Sequence, residues 1–499
     1  MPCACRIILT MTYSGIEFFH RGAMVQATNA APTRTVLEWL REDAQCAGTK
    51  EGCNEGDCGA CTVVVGTPQP DGTLDLKPIN SCIQFLPTLH GKALFTVEDL
   101  AKNAQLHPCQ QAMVDCHGSQ CGFCTPGFVM TLFAHYENQV RSGKGAATRA
   151  ELDDVLSGNL CRCTGYRPII DAAQKMFSLP VRALDDAPVV AALKNLNTLR
   201  HDKFVSPATR AEFAQYYVQN PQARILAGST DIGLWVNKQF RAQNHLLYIG
   251  NVTDLHFVRV ENGALHIGAA VNLETAFAAI ARHVLPSNES FREWWVRFAS
   301  PLIRNAGTLA GNVANGSPIG DSMPVLMALN ANVVLQQGES TRALPLEKLY
   351  LGYMKNAIQP GEFVAEIVIP TAQTGAFRTY KISKRFDQDI SAVCFAGSVL
   401  LENGNVKEVR LAYGGMAATP ARAVVTEATL IGKPWNEAAI FAAMDALAQD
   451  FYPLTDMRAT KEYRAATARN VLQKFWLETR IDAPIASAQL SVRHMERAL

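Results

Sequence analysis

Gly52-Cys53-Asn54-Glu55-Gly56-Asp57-Cys58-Gly59-Ala60-Cys61 is the stretch from which the fold follows. Cys53, Cys58 and Cys61 have the C-x4-C-x2-C spacing of a plant-type [2Fe–2S] loop, and Cys82, the next cysteine, is the expected fourth ligand. Two ferric ions and two sulfides need four converging thiolates, with backbone amides turned toward the sulfurs to spread the negative charge. Gly52, Gly56 and Gly59 let the chain turn tightly and come close to the cluster. A zinc knuckle more often uses two C-x2-C pairs, and this glycine-rich spacing fits it poorly.

Upstream, Ile16-Glu17-Phe18-Phe19 and Met24-Val25-Gln26-Ala27 read as two strands around His20-Arg21-Gly22. Thr33 to Glu42 reads as a helix with Val36, Leu37 and Leu40 on one face. Downstream come a strand from Thr62 to Val65, a polar turn from Pro68 to Gly72, and a closing segment from Leu94 to Leu100. Strand, strand, helix, loop, strand is the order of a small ferredoxin-like β-grasp domain. Cys3 and Cys5 form a C-x-C pair with no partner pair nearby and read as part of a frayed terminus.

A second constellation pairs Cys121-Gly122-Phe123-Cys124 with Cys161-Arg162-Cys163. Pro126 and Pro168 follow the two halves and suit first helical turns, where a missing N–H costs nothing. Phe128, Val129, Leu132, Phe133 and Tyr136 then share one helical stripe, as do Ile169, Ala173, Met176 and Phe177. Two helix N-termini can thus present four thiolates to one site, and their positive dipole ends favour anionic sulfur. C-x2-C with C-x-C points to a second [2Fe–2S] cluster; zinc is the alternative. Cys46, Cys109, Cys116 and Cys394 read as buried or spare thiols.

The two motifs, in this order and with a helical second half, resemble the iron–sulfur portion of the molybdenum hydroxylases, which include xanthine dehydrogenase and aldehyde oxidase. Carried over by position, Cys53, Cys58, Cys61 and Cys82 hold a cluster toward the flavin, and Cys121, Cys124, Cys161 and Cys163 one toward the molybdenum. The resemblance continues. Gln222 to Leu226 reads as a strand leading into Ala227-Gly228-Ser229-Thr230-Asp231-Ile232-Gly233, a loop able to offer backbone amides to phosphate. It lacks G-x-G-x-x-G, so a Rossmann site is not supported. Arg304 to Asn312 supplies a second small-residue loop. In the family these are the phosphate loops of an FAD domain. The resemblance implies that Ile225, Leu226, Ala227, Gly228, Ser229, Thr230, Asp231 and Ile232, with Thr308, Leu309, Ala310, Gly311 and Asn312, hold the diphosphate side. It assigns Asp321, Val364 and Lys381 to other parts of FAD, Phe298 to the isoalloxazine and Tyr353 to the nicotinamide site. Plain core packing is the ordinary alternative for Phe298 and Tyr353. Arg385 to Asp389 departs from the family, with Gln388 where an Asp stands in mammalian enzymes, and this bears on NAD+ rather than FAD.

The expected fold is α+β and multidomain: a β-grasp ferredoxin-like domain (13–98), a helical [2Fe–2S] domain (99–180), a linker (181–199), a non-Rossmann α+β FAD domain (200–374) and a small α+β C-terminal flavoprotein domain (375–499). Strands from Gly397 to Leu401 and Val406 to Tyr413, then helices from Glu437 to Ala448 and Thr460 to Glu478, make up the last.

The resemblance implies an electron-transfer chain most similar to the smaller subunit of the two-subunit xanthine dehydrogenases. Electrons would come from a molybdenum cofactor on a large partner, pass both clusters to FAD, and leave on NAD+. The expected assembly is two of each subunit, with no hydroxylation residue on this chain. An aldehyde- or N-heterocycle-oxidising complex is the second enzyme reading, and a zinc-binding, non-redox module is a third.

The totals agree. At 499 residues, several domains are expected. Lys plus Arg is 46 against 45 acidic residues, which gives no reason to expect nucleic acid or an anionic membrane. No apolar run reaches the ~18 residues of a membrane span, and no signal peptide is read at Met1 to Tyr13. Fourteen cysteines point to metal ligands in a reducing, cytoplasmic setting.

Overall fold

Thr62-Val63-Val64-Val65-Gly66 is an apolar run without alternation, and the fold explains it. The computed structural model describes residues 15–490, except 29, 195, 197, 198 and 374. Cys3 and Cys5 lie outside the described residues. The strand that carries the run, β3 (Thr62–Pro68), is covered on both faces of its sheet. The other strands are β1 (Ile16–His20), β2 (Ala23–Ala27), β4 (Leu74–Asn80) and β5 (Ala93–Phe95), in the order β2-β1-β5-β3-β4. The β1–β5 pair is parallel and the others antiparallel. Val63, Val65, Phe18 and Leu94 share a core with Val36, Trp39 and Leu40 of α1 (Val36–Glu42). Val64, Phe95, Leu74 and Leu76 face the opposite way, into a core with helical residues. A strand buried on both faces is apolar at every step.

Helix α1 starts three residues later than the sequence suggests. Thr35 and Glu38 form a capping box, with the Thr35 side chain accepting from the Glu38 amide and Glu38 reaching back to the Thr35 amide. Strand β4 is not among the sequence expectations. Pro78 within it argues against a central strand, and β4 is in fact an edge, where a missing N–H is tolerated.

The helical region consists chiefly of α2 (Pro108–Asp115), α3 (Thr125–Arg141), α4 (Arg149–Leu156) and α5 (Arg167–Lys175). The stripe Phe128, Val129, Leu132, Phe133 and Tyr136 is fully buried, and Phe133 packs on Phe95 with ring centroids 6.2 Å apart. The helical domain therefore sits directly on the sheet. The stretch expected as a linker holds a helix at Ala187–Ala192, whose Val189 and Val190 join the same core. Asp186 ties it down, accepting from Arg141 at 2.7 Å and from the Leu74 amide at 3.0 Å.

The chain divides into two compact units. Residues up to Phe213, with Gln222–Thr253 and Pro301–Ala306, form the first. Besides the elements above, it contains the parallel strands Phe204–Val205, Leu246–Tyr248 and Arg224–Leu226, and the helix Ile232–Asn237. Ala214–Pro221, Asp254–Ser300 and the chain from Gly307 form the second. It holds a five-stranded antiparallel sheet built on Asn332–Gln337 and Phe363–Pro370. It also holds a four-stranded sheet built on Val393–Glu402 and Asn405–Gly414. The helices Glu437–Asp450 and Lys461–Thr479 share a core with this second sheet. Among the described residues, no helix is long and apolar enough to cross a membrane.

Candidate functional site

The loop after α1 brings Cys53, Cys58 and Cys61 beside Cys82, which follows β4. Amides of Asp57 and Cys58 each donate to the Cys53 sulfur at 3.4 Å, the arrangement that spreads charge from a sulfur ligand. Thiols of Cys58 and Cys82 donate to Cys53 and hold it well below the usual thiol range. Cys82 does the same for Cys61. The donors are pushed up in turn, Cys58 and Cys82 each chiefly by Cys53. Cys53 is adjacent to both Cys58 and Cys82, and Cys82 to Cys61 as well, so the four thiols form one connected group of the size that a [2Fe–2S] cluster takes. Cys61 and Cys82 are 2% and 1% exposed. Gly56 (φ +77°) and Gly59 (φ +70°) take the left-handed conformations that the loop needs.

The second set gathers at the starts of α3 and α5. Cys124 is the N-terminal flanking residue of α3, and Cys161 and Cys163 lie just ahead of α5. The Cys163 sulfur stands 3.6 Å from that of Cys121 and 3.9 Å from that of Cys161. Burial pushes Cys161 up, but the Thr164 hydroxyl at 3.1 Å and the Thr164 amide outweigh it, bringing the thiol down to about 7. Burial, with Cys161, pushes Cys124 up to about 12. Tyr166, at φ 69°, bends the chain so that its hydroxyl accepts from the Cys161 amide at 2.9 Å. Cys121 and Cys163 are exposed. Cys46, Cys109 and Cys394 are buried thiols raised first by burial, while Cys116 is half-buried.

The residues read as flavin contacts fall in both units. In the first, the amides of Ala227 through Ile232 make no backbone hydrogen bond among the described residues. Ser229 has φ 64°, and its buried hydroxyl lacks a partner among the described residues. Burial pushes the Asp231 carboxyl up. Unspent donors in a strand-to-helix turn suit an anion. Ile225 and Leu226 end the preceding strand, with Leu226 in the core.

In the second unit, Thr308 caps the helix Leu309–Asn315, its hydroxyl accepting from the Gly311 amide at 3.0 Å. The Asn312 side chain accepts from Ser322. Asp321 and Lys381 form a buried ion pair at 2.6 Å, and the Ser391 hydroxyl donates to the same Asp321 oxygen at 2.9 Å. The other oxygen, Oδ1, is buried and without a partner among the described residues, an acceptor ready for a ligand hydroxyl. Val364 is a buried residue of the five-stranded sheet beside a register shift. Phe298 is 8% exposed and packs on Phe277 and Trp294 at 5.2 and 5.4 Å, so it belongs to an aromatic cluster. Tyr353 is 64% exposed in a turn with Met354, just after the strand that holds the exposed Leu351. Gln388 takes φ 57° in a loop held by Arg297, which stacks on Phe386 at 4.4 Å and donates to its carbonyl.

Sequence reasoning missed the side chains that hold the first cysteine loop. Asn237 donates to the Cys82 carbonyl at 2.7 Å, and Lys238 donates to the Cys53 carbonyl at 2.6 Å. Asn159 and Thr131 were missed as well. The Gly-Asn pair two residues before Cys161 was the one available signal.

Four family models match in succession. They are a 2Fe-2S iron-sulfur cluster binding domain (18–83), a [2Fe-2S] binding domain (96–174), an FAD binding domain in molybdopterin dehydrogenase (198–372) and a CO dehydrogenase flavoprotein C-terminal domain (378–479). The chain is 31% identical to a xanthine dehydrogenase of Emericella nidulans, over 97% of this chain and 40% of that one. It is 28% identical to aldehyde oxidase 1 of Bos taurus, over 93% and 39%. The chain thus spans about two fifths of the length of the curated relatives it matches. Among solved structures, a Cu,Mo-CO dehydrogenase chain aligns with TM-score 0.50 and 25% identity, over 55% of this chain and 95% of that one. Quinoline 2-oxidoreductase from Pseudomonas putida 86 aligns with TM-score 0.51 at 20% identity, over 57% and 99%, a likeness of fold. Two [2Fe–2S] domains and an FAD-binding domain are therefore present, in an α+β fold.

Proposed function

We propose, on the premise that this chain is the iron–sulfur and flavin portion of a molybdenum hydroxylase, that it carries electrons from a purine-oxidising molybdenum centre to NAD+. The observation that carries the reading is the gathering of eight cysteines into two sets of four, built differently but in contact with one fold. When bound, the clusters supply single-electron steps and FAD supplies the change from one-electron to hydride chemistry.

This chain's residues hold, orient and shield. Cys53, Cys58, Cys61 and Cys82 are assigned to one cluster, and Cys121, Cys124, Cys161 and Cys163 to the other. We assign the segments 225–232 and 308–312 to the diphosphate side of FAD, with the amides of 227–232 as the available donors, Asp321 Oδ1 to a flavin-side hydroxyl and Lys381 to holding Asp321 in place. Val364 and Phe298 are proposed at the flavin and Tyr353 at the nicotinamide site, with Phe298 acting through its packed aromatic cluster. The domain limits proposed are 13–98, 99–180, 200–374 and 375–499. A molybdopterin-binding partner, a two-plus-two assembly and a cytoplasmic location complete the proposal.

The xanthine reading rests on similarity to xanthine dehydrogenases; similarity to an aldehyde oxidase supports the second reading. The test is to isolate the tagged chain with its partner and supply xanthine or an aromatic aldehyde with NAD+. NADH formed from xanthine supports the proposal. NADH from the aldehyde alone selects the second reading.

A further inference from the structure

Asn159 touches segments that carry ligands of both cysteine sets. Its side chain is 2% exposed. The amide nitrogen donates to the Gly59 carbonyl and to the Thr62 hydroxyl, each at 3.1 Å. The amide oxygen accepts from the Thr131 hydroxyl at 2.7 Å. Gly59 lies between Cys58 and Cys61, Thr131 is on the helix that begins after Cys124, and Asn159 itself is two residues before Cys161. One planar amide, with both N–H groups and its oxygen used, therefore joins three ligand-bearing segments in a dry site, where each bond is costly to lose.

The backbone closes the same junction. The Leu160 amide donates to the Cys58 carbonyl at 3.0 Å, so Cys58 and Cys161 are separated by one hydrogen bond and one peptide step. Glycines make the approach possible. A Cβ on Gly59 would stand 2.2 Å from the Gly158 carbonyl oxygen, and one on Gly127 would stand 2.2 Å from that of Gly59.

From this we infer that Asn159 is a positioning residue that fixes the separation and mutual orientation of the two [2Fe–2S] clusters, with the Leu160-to-Cys58 bond as the shortest connection between them. The inference rests on the two-cluster reading above. Electron tunnelling falls steeply with separation, so a fixed junction sets the rate between the clusters. No proton or bond change accompanies that step.

The test is low-temperature electron paramagnetic resonance on the fully reduced, full-length chain, after iron has been counted. Two reduced clusters at fixed short range split each other's signals. Asn159→Asp keeps the acceptor for Thr131 and the side-chain shape but loses the donors to Gly59 and Thr62. With four irons per chain retained, the splitting is expected to shrink or vanish in N159D. Splitting equal to that of the parent, or a parent with four irons and no splitting, overturns the inference. If N159D holds fewer than four irons, T131V, which removes one bond only, decides by the same readout: altered splitting supports the clamp and unaltered splitting overturns it. A parent that takes up zinc in place of four irons brings down the two-cluster reading itself, an outcome distinct from an unsplit spectrum.

Discussion

The two cysteine sets belong to one unit and answer the same chemical demand in opposite ways. The first is the more buried: Cys61 and Cys82 are buried, Cys53 and Cys58 are half-buried, and its loop is held by carbonyl contacts from Asn237 and Lys238. The second is at the surface: Cys121 and Cys163 are exposed, and its order comes from two helix starts and one tyrosine. The difference teaches that the first set is built into the packed interior of its domain, whereas the second is carried nearer the surface at two helix starts. An internal site suits a relay, and an exposed one suits exchange with something outside the chain.

The strongest way to break this contrast is to remove one ligand from each set. Cys82→Ala is expected to lower iron from about four to about two per chain and to destabilise the fold by about 1–3 kcal/mol. Cys163→Ala is expected to lose the same iron with melting nearly unchanged. Metal analysis and thermal unfolding of the two variants check this. Equal melting losses would erase the distinction.

Glycine substitutions sharpen it next. Gly127→Ala drives a methyl group against the Gly59 carbonyl and is expected to cost about 1–3 kcal/mol as overpacking. Gly122, at φ +82° between Cys121 and Cys124, has open space around it, so Gly122→Ala costs only the backbone term, about 1 kcal/mol. Urea unfolding ranks the pair.

The electrostatic difference is smaller. Lys238 lies at the Cys53 carbonyl, but its side chain is 42% exposed and screened by solvent. Lys238→Met is expected to lower the first cluster's potential by roughly a few tens of millivolts and leave the second unchanged. A redox titration that follows each signal separately measures both.

The smallest effect is one of pH. Burial lowers His135, on the helix that begins after Cys124, and its Nε2 is buried without a partner among the described residues. The folded state thus favours the neutral ring. Its contribution to stability is complete above the unfolded value of about 6.5 and is lost as pH falls through the lower folded value. Thermal stability of the helical region should fall on acidification from about 6.5 down to the lower folded value, and His135→Phe should flatten the slope. An identical slope in the variant would remove His135 from the account.

Much of this was legible in the sequence, because the signals were local. Cysteine spacing, the prolines at helix starts and the stripe from Phe128 to Tyr136 each act within a few turns of chain. What escaped were meetings across long separations. Strand β4 was hidden because Pro78 argues against a strand unless its edge position is known. Asn159 to Gly59, Lys238 to Cys53 and Asp186 to Leu74 join residues about a hundred or more apart, and polar side chains carry no periodicity that announces a partner. In the flavin region, loop composition was readable, while the orphaned Oδ1 of Asp321 and its bond from Ser391 needed coordinates.

The central claim is that one chain carries two unlike iron–sulfur sites and a flavin. Iron and FAD counts combined with electron paramagnetic resonance of the reduced, purified chain test it most directly. The account predicts about four irons and one FAD per chain, with two distinct signals of equal intensity. A single signal with two irons, or zinc without flavin absorption, would contradict it.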